Sequence, residues 1–224
     1  MRTLTLLLLA AIASAQSPTA NRKVVFEDQF NAAELDAAKW VINTPDHVSI
    51  KDGKVQLGFN MTPTGPRGGG INTAGKFEQQ FGYFEASVRF NAFAGHRGVV
   101  ALRSKAEEIP GFGLTFQGGG PRTTPWARVS SPGGSRDYRG EKGEDGYLPN
   151  GGGFKKFNTY GILWTDKAYV FFINNKKVMQ IEKPDPVKAA YFSVRHDSLE
   201  SDRKDFKEKN LPDNVEVDWV KIWK

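Results

Sequence analysis

The stretch Gly82-Tyr83-Phe84-Glu85-Ala86-Ser87-Val88-Arg89-Phe90 decides the fold. Phe84, Ala86, Val88 and Phe90 fall at every second position with Glu85, Ser87 and Arg89 between them, the two-residue period of a strand with one face in a core. Phe112-Gly113-Leu114-Thr115-Phe116-Gln117 repeats the device: Phe112, Leu114 and Phe116 form the apolar set, and Gly113, Thr115 and Gln117 the opposite one. Function is expected on that second face.

Working outward, short strand-like runs and turn signals alternate along the chain. Val24–Phe26 opens the domain, and Leu35–Trp40 supplies one helical turn at most. Val48–Ile50 and Val55–Phe59 flank Asp52-Gly53-Lys54, where glycine provides the positive backbone angle of a tight hairpin. Gly65–Gly70 reads as a loop because of its glycines and Pro66, and no helix follows to make it a phosphate cradle. Ile71–Phe77 and Gly82–Phe90 read as neighbouring strands, followed by Val99–Arg103 and Phe112–Gln117. The segment 118–153, with Pro121, Pro125, Pro132 and Pro149, reads as loop-rich and carries Trp126, Tyr138 and Tyr147. Tyr160–Trp164, Tyr169–Ile173, Lys177–Ile181 and Ala190–Val194 resume the strand pattern, and the charged run 198–210 reads as a solvated excursion. The last strand, Val215–Trp223, is expected to set Val215, Val217 and Trp219 against Glu216 and Asp218. Many short strands with almost no helical periodicity predict an all-β sandwich or jelly roll in one domain.

The chain has 224 residues, 39% hydrophobic residues and no cysteine, enough for a large core without disulfides. Arg2, the apolar run Leu4–Ala13 and the small residues Ala13-Ser14-Ala15 predict a secretory signal peptide over residues 1–15, too short to span a membrane, with the folded domain over 16–224. The address is therefore secreted or periplasmic. Removing that segment takes away only Arg2 among the charged residues and lowers the net charge from +6 to +5. The excess is spread along the chain instead of gathered in a stripe, which argues against a nucleic-acid partner and leaves an acidic polymer as a candidate.

Five separated blocks resemble the glycoside hydrolase family 16 enzymes, the laminarinase and lichenase group. They are Phe26-Glu27-Asp28-Gln29-Phe30 with Leu35-Asp36 and Lys39-Trp40; Gly70-Ile71-Asn72-Thr73 with Phe77; Phe81–Ala86; Phe157–Thr165; and Val217–Ile222. The resemblance implies a concanavalin-like jelly-roll β-sandwich of two antiparallel sheets. It also implies binding of a polysaccharide or cell-wall glycan by a monomer.

That family hydrolyses β-glycosidic bonds with retention through Glu-x-Asp-x-Glu, or a version one residue longer, on one strand of its concave sheet. Positions i, i+2 and i+4 share a face and span ~13 Å at ~3.3 Å per residue, so two glutamates can lean to the ~5 Å separation that retention needs. Here the matching positions are Gly113, Thr115 and Gln117, or Phe112, Leu114 and Gln117 in the longer form, and neither set holds a carboxylate. Where the family has two sugar-stacking tryptophans before that strand, this chain has Arg97 and Ala101.

By resemblance Glu85 corresponds to a glutamate that contacts substrate hydroxyls, and Ser87 stands where an arginine is usual. Arg97, Arg103, Gln117 and Trp126 complete the candidate substrate-binding set, with Arg97 and Arg103 alternatively solvated edge charges and Trp126, Tyr138 and Tyr147 alternatively loop packing. His96 reads as incidental. Asp218 corresponds to an aspartate that in some relatives binds a structural calcium, here near Gly53; no other cofactor is implied.

Four functions remain open on the sequence. One is a glycan-binding protein with lost or impaired hydrolysis. Another is an active endo-glycosidase on a β-glucan or galactan using Glu85, Glu107 or Glu108 as relocated acids. The third is a polysaccharide lyase acting on acidic glycans through Arg97, Arg103 and Gln117. The fourth is a protein-binding or envelope component with no sugar ligand.

Overall fold

A computed structural model of the chain describes residues 17–90, 95–104, 113–119, 122–131, 134–138, 156–182, 189–198 and 206–224, with backbone alone over 113–138. The signal peptide expected over residues 1–15 lies outside them. Strands are numbered in chain order. Among the described residues the first sheet has nine strands and runs β14 (Lys176–Glu182), β13 (Ala168–Ile173), β12 (Asn158–Trp164), β7 (Gly82–Arg89), β16 (Asp213–Trp223), β4 (Lys54–Thr62), β3 (Val48–Lys51). In it β1 (Val24–Asp28) also pairs with β16, and β5 (Gly65–Gly68) with β4. The second sheet, again among the described residues, has seven, in the order β11 (Gly134–Tyr138), β10 (Arg122–Ser131), β9 (Gly113–Gly119), β8 (Arg97–Arg103), β15 (Tyr191–Asp197), β6 (Gly70–Asn72), β2 (Val41–Asn43). The paired strands in both sheets are antiparallel, the arrangement of a jelly-roll sandwich.

The alternation in β7 resolves as the period demands: Phe84, Ala86 and Val88 are fully buried in the main core, as is Phe90 just beyond the strand. Tyr160, Ile162, Trp164, Val220 and Ile222 join them from the same sheet, and Ile71, Val100, Leu102, Phe192 and Val194 meet them from the other. Burying a side chain of this size is worth about 1.5–3 kcal/mol, so this interleaved layer is what holds the sheets face to face. Hairpins follow local chemistry: Asp52 and Gly53 between β3 and β4, and Asn174 and Asn175 between β13 and β14, have positive φ, as a two-residue primed turn requires.

Four expectations are corrected. Gly65–Gly68 is the edge strand β5, where Pro66 is tolerated because an edge position needs no outward N–H. A Cβ at Gly68 would collide with the His196 carbonyl, so glycine is what lets this strand lie against the end of β15. Ile71 and β7 are not neighbours, since β6 belongs to the second sheet and residues 74–76 turn. Within 118–153 the chain forms β10 and β11, and Pro125 falls in the register irregularity between Arg122 and Trp126. Finally, the β16 register shifts between Val217 and Trp219, so Val220 and Ile222 carry on the core face and Trp219 leaves it. A bulge adds one residue to the count and flips the alternation after it.

Candidate functional site

Register aligns rows of residues across the second sheet on the face turned away from the core. One row runs Asn43, Gly70, Arg195, Val99, Gln117, Trp126. The next runs Val41, Asn72, Ser193, Ala101, Thr115, Arg128, Asp137, and a third Tyr191, Arg103, Gly113, Ser130, Ser135. Asp197 stands opposite Arg97, which stands opposite Gly119. Val99 and Ala101 are buried yet lie outside the core cluster that takes in Val100 and Leu102, as two-residue alternation requires.

The backbone positions Gly113, Thr115 and Gln117 therefore belong to the same face as Arg97 and Arg103, and Trp126 sits in β10 opposite Gln117. Tyr138 ends β11; Tyr147, Glu107 and Glu108 lie outside the described residues. Arg97 is only 5% exposed, so it is no solvated edge charge. Its guanidinium lies 3.5 Å from Asp197, whose carboxylate also lies 3.3 Å from Arg195. Burial lowers the Arg195 pKa from its ordinary value and the Arg103 charge lowers it further, while Asp197 and Tyr191 act the other way. Arg195, Asp197 and Tyr191 were not singled out by sequence. The signal was present in the alternation of Tyr191, Ser193, Arg195 and Asp197 against Phe192 and Val194, but it needed β15 placed beside β8.

Next to this face, Asn43, Thr64, Arg67, Gly70, Arg195 and Asp197 are among the residues lining a cavity of about 330 Å³. Its size suits a small polar group or one sugar ring. Two guanidiniums and an amide give it donors suited to hydroxyl, carboxylate or sulfate oxygens.

Glu85 and Ser87 are elsewhere. They belong to β7 in the first sheet and point away from the core, on the far side of the sandwich from Arg97. There Tyr83 donates a hydrogen bond of 2.8 Å to Glu85, and Tyr83 packs with Ala168, Val170 and Phe172 in a second apolar cluster. Burial raises the Glu85 pKa, opposed by hydrogen bonds from Tyr83 and Thr159 and by the Lys221 charge. Burial also drives the Tyr83 hydroxyl far up, so it remains a donor. Two-residue alternation put Glu85 opposite Phe84, but not on a particular sheet. The expected substrate contacts of Glu85 and Ser87 are thus geometrically remote from Gln117.

Asp218 lies at the bulge of β16, where its carboxylate is 3.9 Å from the Lys54 ammonium. Among the described residues it joins no group of three His, Asp or Glu ligands. His96, by contrast, is fully buried with His196 and Asp213.

A family model described as glycosyl hydrolases family 16 matches residues 35–221. Among solved structures, a laminarinase from Flavobacterium sp. UMI-01 is similar with a TM-score of 0.74 and 18% identity, over 90% of this chain and 100% of that one. The family 16 non-specific endo-β-1,3(4)-glucanase SCLam has a TM-score of 0.78 and 15% identity, over 92% of both chains. An endo-β-1,3-glucanase from Pyrococcus furiosus has a TM-score of 0.74 and 16% identity, over 91% of this chain and 94% of that one. No curated protein sequence matches significantly.

Proposed function

This chain belongs to glycosyl hydrolases family 16, and we propose that it is a secreted or periplasmic glycan-binding member whose hydrolysis is lost or strongly impaired. The observation that carries this is the row of Gly113, Thr115 and Gln117, in register opposite Arg103, Ala101 and Val99 with no carboxylate among them. Among positions that register assigns to this face, the acids are Asp197 on β15 and Asp137 on β11. Those strands are four steps apart in the sheet, about 19 Å at ~4.8 Å per step, beyond the ~5 Å of a retaining pair and the ~9.5 Å limit of an inverting one. Gln117 neither gives nor takes a proton at neutral pH, so among the described residues of this face both covalent and acid–base assistance lack their groups.

The ligand on this reading is a polysaccharide carrying carboxylate or sulfate groups, bound along the rows by Arg97, Arg103 and Arg195 with Asn43 and Asn72. Arg97, Arg103, Arg195 and Arg128 against Asp197 and Asp137, the charges that register assigns to these rows, leave the face cationic, and arginine matches planar or tetrahedral oxyanions with paired donors. SCLam with an E144S substitution holds a β-glucan oligosaccharide at its active site; a neutral β-glucan is thus the natural competitor in a binding assay. Among the described residues, no helix is long and apolar enough to cross a membrane.

The test is incubation with laminarin, lichenan, agarose, carrageenan and polygalacturonate. No reducing ends should appear, and an acidic glycan should retard the protein in an affinity gel more than laminarin does. Rapid release of reducing ends rejects the reading and favours relocated acids at Glu107 or Glu108, Glu85 being on the wrong sheet.

A second reading, β-elimination of an acidic glycan, has one specific observation in its favour: Tyr191 sits opposite Arg103 in register and close enough to Arg195 to influence its charge. Absence of new ultraviolet absorbance from unsaturated products on polygalacturonate or alginate rejects it.

A further inference from the structure

We propose that His96, His196 and Asp213 form a binding site for one borderline transition-metal ion, of which Zn²⁺ is the best match, and that the ion clamps the two sheets together at one end of the sandwich. His96 immediately precedes β8 and His196 lies in β15, both in the second sheet, whereas Asp213 opens β16 in the first. The side chains of both histidines are fully inaccessible and that of Asp213 nearly so.

The donor atoms converge on one point. His96 Nδ1 lies 2.7 Å from Asp213 Oδ2 and 3.2 Å from His196 Nε2, and His196 Nε2 lies 3.5 Å from Asp213 Oδ2. Two corners of a tetrahedron around Zn²⁺, with bonds of about 2.0–2.1 Å, are about 3.3 Å apart, so this triangle is close to the one that a bound ion would impose. Among the described residues it is the one group of three His, Asp or Glu ligands whose atoms lie within 4.8 Å of one another.

Proton accounting gives the same answer. His196 Nδ1 lies 3.0 Å from the Leu57 carbonyl. A carbonyl only accepts, so this nitrogen carries the proton, and Nε2 of the neutral ring presents a lone pair. That pair faces the carboxylate oxygen and the Nδ1 of His96. Without an ion, the single Nδ1 proton of His96 is shared between Asp213 Oδ2 and this lone pair. An ion at the centre takes the place of that proton and draws on all three donor atoms at once. An imidazole fixed by a backbone carbonyl on its far nitrogen is the usual support of a metal-binding histidine. Two imidazoles and one carboxylate suit Zn²⁺, Co²⁺ or Ni²⁺ and not Ca²⁺, which takes 6–8 oxygens.

The surroundings fix the rings. Phe59 stacks on His96 with centroids 4.7 Å apart and planes 9° apart, and Phe206 meets the edge of the same ring. The site lies on the core side of β15, so the clamp is separate from glycan binding and does not rest on the proposed function.

Metal-free protein, prepared with a chelator, is titrated with Zn²⁺ and with Co²⁺. Expected are one equivalent of ion per chain, intense visible d–d bands of tetrahedral Co²⁺, and a thermal midpoint raised by about 5–10 °C at a hundredfold excess of Zn²⁺ over Kd. Asp213→Asn and His96→Gln should each weaken uptake at least about a hundredfold, while His47→Gln, in the third histidine of the chain, should leave it unchanged. If a variant does not fold, the Co²⁺ spectrum and chelator-dependent melting of the unaltered chain decide. No stoichiometric uptake, octahedral Co²⁺ bands, or equal uptake by folded Asp213→Asn overturns the proposal.

Discussion

Replacing Asp197 by Asn should move stability and ligand affinity in opposite directions. The carboxylate lies 3.5 Å from Arg97 and 3.3 Å from Arg195, with side-chain exposures of 32% for Asp197, 6% for Arg97 and 30% for Arg195. One such pair is worth about 5 kcal/mol at an effective dielectric of about 20. Solvent reaching a carboxylate that is one-third exposed screens much of this, so a net loss of about 2 kcal/mol is the reasonable expectation. For a domain of this size that lowers the thermal midpoint by about 4–8 °C. For an incoming sulfate or uronate the same carboxylate is a repulsive charge. At about 5 Å and an effective dielectric of about 40 the repulsion is about 1.5 kcal/mol, so its removal should tighten acidic glycans roughly tenfold. Calorimetry or affinity electrophoresis on carrageenan and polygalacturonate, with laminarin as the neutral reference, measures this. Unchanged or weaker binding of the acidic glycans by folded Asp197→Asn, or an equal gain for laminarin, refutes the reasoning that the face recognises charge.

Two further outcomes follow from the fold. Gly68→Ala forces a methyl group against the His196 carbonyl and should cost about 1–3 kcal/mol in a denaturant melt, whereas Gly75→Asn, with φ +69 and open space around it, should be nearly neutral. Glu85 has a raised folded pKa, so its contribution is fully present below the unfolded value near 4.5 and is lost as pH rises through the folded value. Glu85→Gln should therefore flatten the fall in thermal midpoint above pH 4.5 without altering glycan binding, and a change in binding would place Glu85 nearer the ligand than β7 allows.

Residue order alone was enough to find the strands that alternate cleanly, the sandwich class and the absence of acids at Gly113, Thr115 and Gln117. Each of these depends on spacing within one segment, which the pleat converts directly into a face. It also showed the family, because five blocks kept their order. It misread Gly65–Gly68 and β10 as loops, since glycine and proline report turn chemistry unless an edge position or a bulge absorbs them.

Which sheet each strand joins, and with it the address of each outward residue, came from the folded chain. Glu85 and Arg97 look alike as polar residues in alternating strands, yet they lie on opposite sides of the sandwich because β7 pairs with β12 and β16 whereas β8 pairs with β9 and β15. The convergence of His96 on His196, 100 residues later, and on Asp213 has the same origin. Strand pairing across such separations is set by packing of the whole core, and no local pattern carries it.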